Sequence, residues 1–201
     1  HLKTYTIGDA EHVLAKVLWL IEEPDALKVS IAIPLYWAAE TASKLGCRVL
    51  LAGQGGDELF GGYQRYLRVY TQSGAAAVQK AMHHDVAQSY EMNLQRDNQV
   101  CSFHRIELRL PFLDRELVHF SLSLPLHLKI ESPEDHLRKR VLRQAAQNLG
   151  VPPSIANKPK RAIQYATGVD KALRRLAREE GVSLREYVKK VFREVYPSVG
   201  G

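Results

Sequence analysis

Between positions 50 and 63 the chain reads Leu50-Leu51-Ala52-Gly53-Gln54-Gly55-Gly56-Asp57-Glu58-Leu59-Phe60-Gly61-Gly62-Tyr63. Five glycines fall within eleven residues, directly after an apolar run. Glycine adopts positive φ without penalty and lets main-chain N–H groups approach a ligand closely. Asp57 and Glu58 add hard oxygen donors of the kind that hold Mg2+ shared with substrate phosphates. The pattern suits a phosphate-bearing ligand, and equally a glycine-rich turn whose aspartate caps a following helix. It is neither a P-loop, lacking Gly-Lys-Ser/Thr, nor a dinucleotide fingerprint. Lys160, grouped with Lys158 and Arg161, reads on its own as part of a solvated basic loop. Glu107 and Arg109 alternate across Leu108, as in an edge-strand ion-pair network, and Arg109 and Asp114 bracket Pro111 closely enough to pair. His83, His84 and His104 show neither triad nor metal spacing.

The elements that must position these residues follow from periodicity. Residues 47–52 are short, β-branched and apolar, the pattern of a strand buried on both faces of a parallel sheet. The glycine loop then lies beyond a strand's carboxyl end, where open parallel sheets bind their ligands. Residues 1–7 alternate apolar and polar side chains, which predicts a short strand. Asp9 is expected to cap a helix with Val13, Leu14, Val17, Leu18 and Ile21 on one face, ended by Glu22-Glu23-Pro24-Asp25. A second helix is expected over 34–44, closed by Gly46. Beyond Gly62 the chain predicts only helices. These cover 75–81 and 84–99, a helix opened by Asp114 with Leu117, Val118 and Phe120 inward, and 136–149, closed by Gly150. A last helix opens with the capping box Ser183 and Glu186. The layout is an α/β fold with its first strands cut off, followed by a helical remainder.

Composition narrows the class. Hydrophobic residues make up 45% and charged residues 25%, as in a soluble globular protein. No apolar run approaches the roughly 20 residues that span a bilayer, and the longest, 13–21, is interrupted by Lys16. No signal-peptide pattern is present, and the first residue is His1 rather than methionine, so the chain reads as a fragment. Cys47 and Cys101 lack metal or disulfide-framework spacing and are expected to be small buried hydrophobes in a cytoplasmic protein. The net charge of +6 gathers between Arg138 and Lys190, where basic residues alternate with apolar and acidic ones at helical spacing. Solvated helix faces account for it, so neither nucleic acid nor membrane is an expected partner.

The whole glycine string closely resembles the "SGEGSDELFGGY" signature of the synthetase domain of glutamine-dependent asparagine synthetases. Three further segments resemble that family in the same order. Ile33-Pro34-Leu35-Tyr36 is similar to "TPMY", and Ile106-Glu107-Leu108-Arg109-Leu110-Pro111-Phe112-Leu113-Asp114 to "VEARVPFLD". Residues 153–160 are similar to the segment that carries the family's essential lysine. The resemblance implies an adenine nucleotide α-hydrolase-like (ATP-pyrophosphatase) parallel sheet, truncated at the N-terminus. Residues 1–62 would be the C-terminal part of the nucleotide-binding α/β unit and 63–201 the helical substrate-covering region. It implies ATP and Mg2+ as cofactors, with adenylation of aspartate followed by attack of ammonia. Partners would be small molecules and a glutaminase domain or subunit, in a chain able to form oligomers.

Carried over by position, Ala52, Gly53 and Gly55 would contact the nucleotide, Asp57 would hold Mg2+, and Lys160, Gln54 and Glu58 would act in catalysis. Arg96, Asn98, Glu107 and Arg109 fall where the family places residues near the substrate. Two features depart from the family. The pyrophosphate-binding "SGGLDSS" string is absent and is expected upstream of His1, so the chain alone is not expected to adenylate a substrate. Position 54 is Gln where asparagine synthetases usually carry Glu. A Gln keeps a hydrogen-bond acceptor but takes no proton near neutral pH. The acceptor chemistry therefore stays open between asparagine formation, a β-lactam synthetase-like or peptide cyclase-like reaction, and a non-catalytic nucleotide-binding relative.

Overall fold

The computed structural model describes residues 4–197 as a mixed α/β chain, mostly helical, with a small two-stranded parallel sheet. In chain order, α1 spans Ile7–Ile21, α2 Ala26–Lys44, β1 Val49–Leu51, α3 Gly56–Phe60 and α4 Gln64–Ala87. A π-helical turn at Tyr90–Leu94 leads into α5, Gln95–Phe103, and then β2, Glu107–Arg109. The remaining helices are α6 Arg115–Ser123, α7 Arg140–Asn148, the short turns α8 Pro153–Ala156 and α9 Ile163–Ala166, α10 Val169–Glu179 and α11 Leu184–Val195. The chain divides into two compact units that interleave along the sequence. One comprises His1–Leu50, Asn93–Leu108 and Arg161–Gly201, and the other Leu51–Met92 and Arg109–Lys160.

The first unit is built on the apolar faces of α1, α2, α10 and α11. Leu14, Val17, Leu18, Val29, Ile33, Leu173 and Val188 are fully buried there. Each such side chain contributes roughly 1.5–3 kcal/mol on removal from water, so this cluster is the principal stabiliser of the unit. The strand expected over residues 1–7 does not form where it can be seen. Residues 1–3 lie outside the described residues, 4–6 are not in a strand, and Ile7 already begins α1. Nor is Asp9 the cap. Thr6 takes that position and Asp9 completes a capping box from N3, each side chain serving the other's main-chain N–H. The second helix starts eight residues before the expected Pro34, at a cap provided by Asp25. Pro34 sits buried inside α2, where tertiary packing overrides its low helix propensity.

The strand over 47–52 exists, as Val49–Leu51, and pairs in parallel with β2 through Glu107 N to Arg48 O at 2.8 Å and Ala52 N to Arg109 O at 3.0 Å. It is not buried on both faces. Leu50 is half-buried and packs toward Ala39, Cys101 and Ile106, whereas Leu51 is 68% exposed. An apolar run reports burial only where elements cover both faces, and among the described residues only one is covered. Cys47 likewise proves exposed, while Cys101 is buried. The third neighbouring strand a large sheet would supply is not among the described residues.

The second unit has its own core of Tyr66, Leu67, Val78, Met82, Leu126 and Ile130. Its helix α4 begins eleven residues before the expected position 75 and breaks at Gly74, whose φ of 79° and ψ of 179° are not helical. Asp114 does open α6, accepting from the N–H groups of Glu116 and Leu117, but Phe120 is 59% exposed rather than inward. The helix expected over 136–149 is shorter. It begins at Arg140, because Arg138 and Lys139 take left-handed backbone, both at φ 53°. Leu149 is exposed beyond its end. The capping box of Ser183 and Glu186 on α11 forms as expected. No described helix is long and apolar enough to cross a membrane.

Candidate functional site

The glycine loop, from Ala52 to Tyr63, belongs wholly to the second unit. Its shape depends on glycine at particular positions. Gly55 has φ 90°, and a Cβ there would lie 2.5 Å from Leu113 Cδ2. Gly62 is more confined still: a Cβ would fall 1.8 Å from Asp57 Oδ1 and 2.5 Å from Lys139 Cε. The loop closes against Asp57, which stands in the first turn of α3.

Asp57 receives two lysines. Lys139 Nζ lies 2.8 Å from Oδ1 and Lys160 Nζ lies 3.4 Å from Oδ2. All three side chains are about one quarter exposed or less. Asp57 Oδ1 is buried and meets Lys139 as an ion pair rather than through an aligned hydrogen bond. Lys160 also sits over the ring of Tyr63, 5.3 Å from its centroid, on the negative face that attracts cations. The Tyr63 hydroxyl donates to Glu58 Oε1 at 2.5 Å. Burial and the charge of Glu58 push the Tyr63 phenol well above its ordinary range, so it remains a donor at neutral pH. Glu58, buried at 3% exposure, thus braces Tyr63, and Tyr63 stations Lys160.

Lysine 160 and Asp57, expected as partners from the sequence, are brought together. Ala52, Gly53, Gln54 and Gly55 precede Asp57 on the same loop, with Gly53 exposed and Gly55 buried. Arg109, exposed, is in this unit as well. Arg96, Asn98 and Glu107 belong to the other unit. There Arg96 is buried and donates from Nε to Asp97 Oδ1 at 2.8 Å, while Asn98 and Glu107 are exposed. Sequence reasoning missed Lys139, and gave Tyr63 no role. The run Arg138-Lys139-Arg140 reads as a solvated helix face, yet Arg138 is 8% exposed and donates from Nε to Gly62 O at 3.1 Å. The left-handed turn that aims Lys139 at Asp57 carries no glycine to announce it.

Among the described residues, no group of three or more His, Cys, Asp or Glu could enclose a metal. A lone carboxylate is compatible with a magnesium ion held chiefly by phosphates and water, for which Asp57 would be the protein's oxygen donor. Two ammonium groups on one carboxylate leave an excess positive charge that suits a polyphosphate.

The sequence matches the family described as "Asparagine synthase" over residues 1–76 and 70–196. The chain belongs to the asparagine synthase family. It is similar to "Putative asparagine synthetase (glutamine-hydrolyzing) 1" of Methanocaldococcus jannaschii, 34% identical over 86% of this chain and 37% of that protein. "Asparagine synthetase domain-containing protein 1" of Mus musculus is 36% identical over 64% of this chain and 21% of its own length. The asparagine synthetase (glutamine-hydrolyzing) of Brassica oleracea is 27% identical over 70% and 24%. The chain therefore spans little more than a third of the length of these relatives at most. The names of these relatives are those of asparagine synthetases, the activity of the family's full-length members.

Proposed function

We propose that the chain forms the lysine-bearing half of a site that uses ATP to convert the side-chain carboxylate of aspartate into aspartyl-AMP and pyrophosphate. Ammonia then displaces AMP to give asparagine. The observation that supports this reading most is the meeting of Lys139 and Lys160 on Asp57 at the glycine loop. In this structure Asp57 is their counter-ion. When a triphosphate enters, its oxygens take over that part, and both ammonium groups stand ready for the charge that develops as pyrophosphate departs. Asp57 would then be the residue to hold Mg2+, which would neutralise phosphate charge as a Lewis acid. The main chain at Ala52, Gly53 and Gly55 lines the nucleotide, and Glu58 acts through Tyr63. Gln54 faces the acyl group as a hydrogen-bonding amide, so a proton lost by the attacking amine leaves by another group. Arg109, in the same unit as the loop, stands on the substrate side, and the fold is that of the adenine nucleotide α-hydrolases. The nitrogen comes from a glutaminase domain or subunit, as the glutamine-hydrolysing names of the relatives suggest.

Gln54 favours a second reading, another amide-forming reaction of the same chemistry, cyclising a β-lactam or a peptide, or a site that binds nucleotide without turnover. Pyrophosphate release, measured on a protein that also carries the phosphate-binding loop expected upstream of His1, decides among them. Release that requires L-aspartate, and that falls about 100-fold or more in a Lys160→Ala variant, is the expected result. Release independent of L-aspartate selects the other amide-forming reaction, and ATP binding with no release under any carboxylate selects the non-catalytic site.

A further inference from the structure

The two lysines reach Asp57 from segments twenty-one positions apart, and one side chain binds the main chain of both segments. Arg143, in the first turn of α7, donates from Nε to Arg138 O at 2.7 Å and from Nη2 to Leu137 O at 2.7 Å. From Nη1 it donates to Ala156 O and, at 2.9 Å, to Lys158 O. The first pair of carbonyls immediately precedes Lys139, and the second pair lies four and two residues before Lys160. Every atom named lies in the same compact unit.

Two consecutive side-chain-bearing residues in left-handed backbone, Arg138 and Lys139, persist only where surrounding contacts hold them. The Arg143 guanidinium supplies two of those contacts, and Arg138 Nε on Gly62 O ties the same turn back to the glycine loop. A guanidinium is a planar fork able to serve four acceptors at fixed angles, which an ammonium on a single nitrogen is not. We propose that Arg143 is a positioning residue that fixes the separation of Lys139 and Lys160, setting both ammonium groups on one anion-binding point. The proposal rests on the phosphate reading of that point. Arg143 touches neither Asp57 nor the loop glycines in this network, and it acts through the two backbone segments.

The test is brief labelling of the protein with acetic anhydride at low stoichiometry, read lysine by lysine by mass spectrometry, in wild type and Arg143→Lys. Loss of the clamp frees both ammonium groups from Asp57, so labelling of Lys139 and Lys160 rises severalfold together while Lys171 and Lys190 stay unchanged. No change at the two site lysines, or an equal rise at every lysine, overturns the proposal, the latter because it marks general loosening. A second arm measures the affinity for inorganic pyrophosphate. Arg143→Lys weakens it about tenfold or more, and adds nothing further in a Lys139→Met/Lys160→Met background; an equal, additive loss in that background overturns the proposal. If wild type binds no pyrophosphate at all, the phosphate reading fails, and the labelling arm still decides the role of Arg143.

Discussion

Lys129 is less than 2% exposed, in the short turn after α6 that packs on Tyr66 and Ile130, and among the described residues its ammonium has neither an ion pair nor a hydrogen bond. Burial lowers its pKa from 10.5 to about 8. The unfolded chain therefore binds more protons than the folded one between these values, and stability must rise with pH through that window. At about 1.36 kcal/mol per pH unit, the penalty for folding with Lys129 amounts to about 3 kcal/mol at pH 7 and roughly half of that at pH 9.5. Lys129→Met keeps the length and apolar stem of the side chain and removes the charge. Urea unfolding of the two proteins at pH 7, 8, 9 and 9.5 should show the variant more stable by about 3 kcal/mol at pH 7, the gap narrowing by about 2 kcal/mol over the series. The series stops short of pH 10 because Tyr63 and Tyr66, whose phenols are pushed up by burial and by Glu58 and Asp85, contribute with the opposite sign above it. A gap that is constant with pH, or that widens, refutes the reasoning, since it would mean that Lys129 is neutral or compensated throughout.

Gly62→Ala places a methyl 1.8 Å from Asp57 Oδ1 and should abolish pyrophosphate binding while circular dichroism shows the helices retained. Lys139→Ala removes the closer of the two cations on Asp57 and should weaken pyrophosphate binding roughly 10- to 100-fold, as for a charged hydrogen bond of about 1.5–3 kcal/mol, measured by calorimetry. Leu18→Ala, at a fully buried position of the first unit's core, should destabilise by about 2–5 kcal/mol in denaturant unfolding.

Helix existence was largely legible in the sequence because apolar spacing is a local property, and α1 and α11 appear with the faces that spacing dictates. Their boundaries were less so. Thr6 rather than Asp9 caps α1 because a capping box needs both residues, and either one alone looks like the cap. Pro34 reads as a helix start, yet α2 continues through it because Val29, Ile33 and Trp37 are buried on either side of it in the core. The burial of β1 was unreadable for a different reason. A continuous apolar run fits a strand covered on two faces or one, and only what packs against Leu51 decides.

The site divides along the same line. Asp57 is conspicuous because its glycines are, and Gly55, Gly61 and Gly62 answer clashes that a side chain would make with Leu113, Ile130 and Asp57 itself. Lys160 is conspicuous only through its resemblance to a family segment, for nothing local separates it from Lys158 or Arg161. Lys139 had no signal of either kind. It points at Asp57 because two residues adopt left-handed backbone without glycine, and they do so because a side chain four residues further on binds the carbonyls of that turn. Such an arrangement is specified by tertiary hydrogen bonds rather than by residue type, so the basic run 138–140 has the composition of a solvated helix face while its middle member serves an internal carboxylate. The charge excess assigned by its spacing to solvated helix faces therefore includes the very cations that would meet a polyphosphate: what distinguishes them is confinement against Asp57, which no count of lysines and arginines contains.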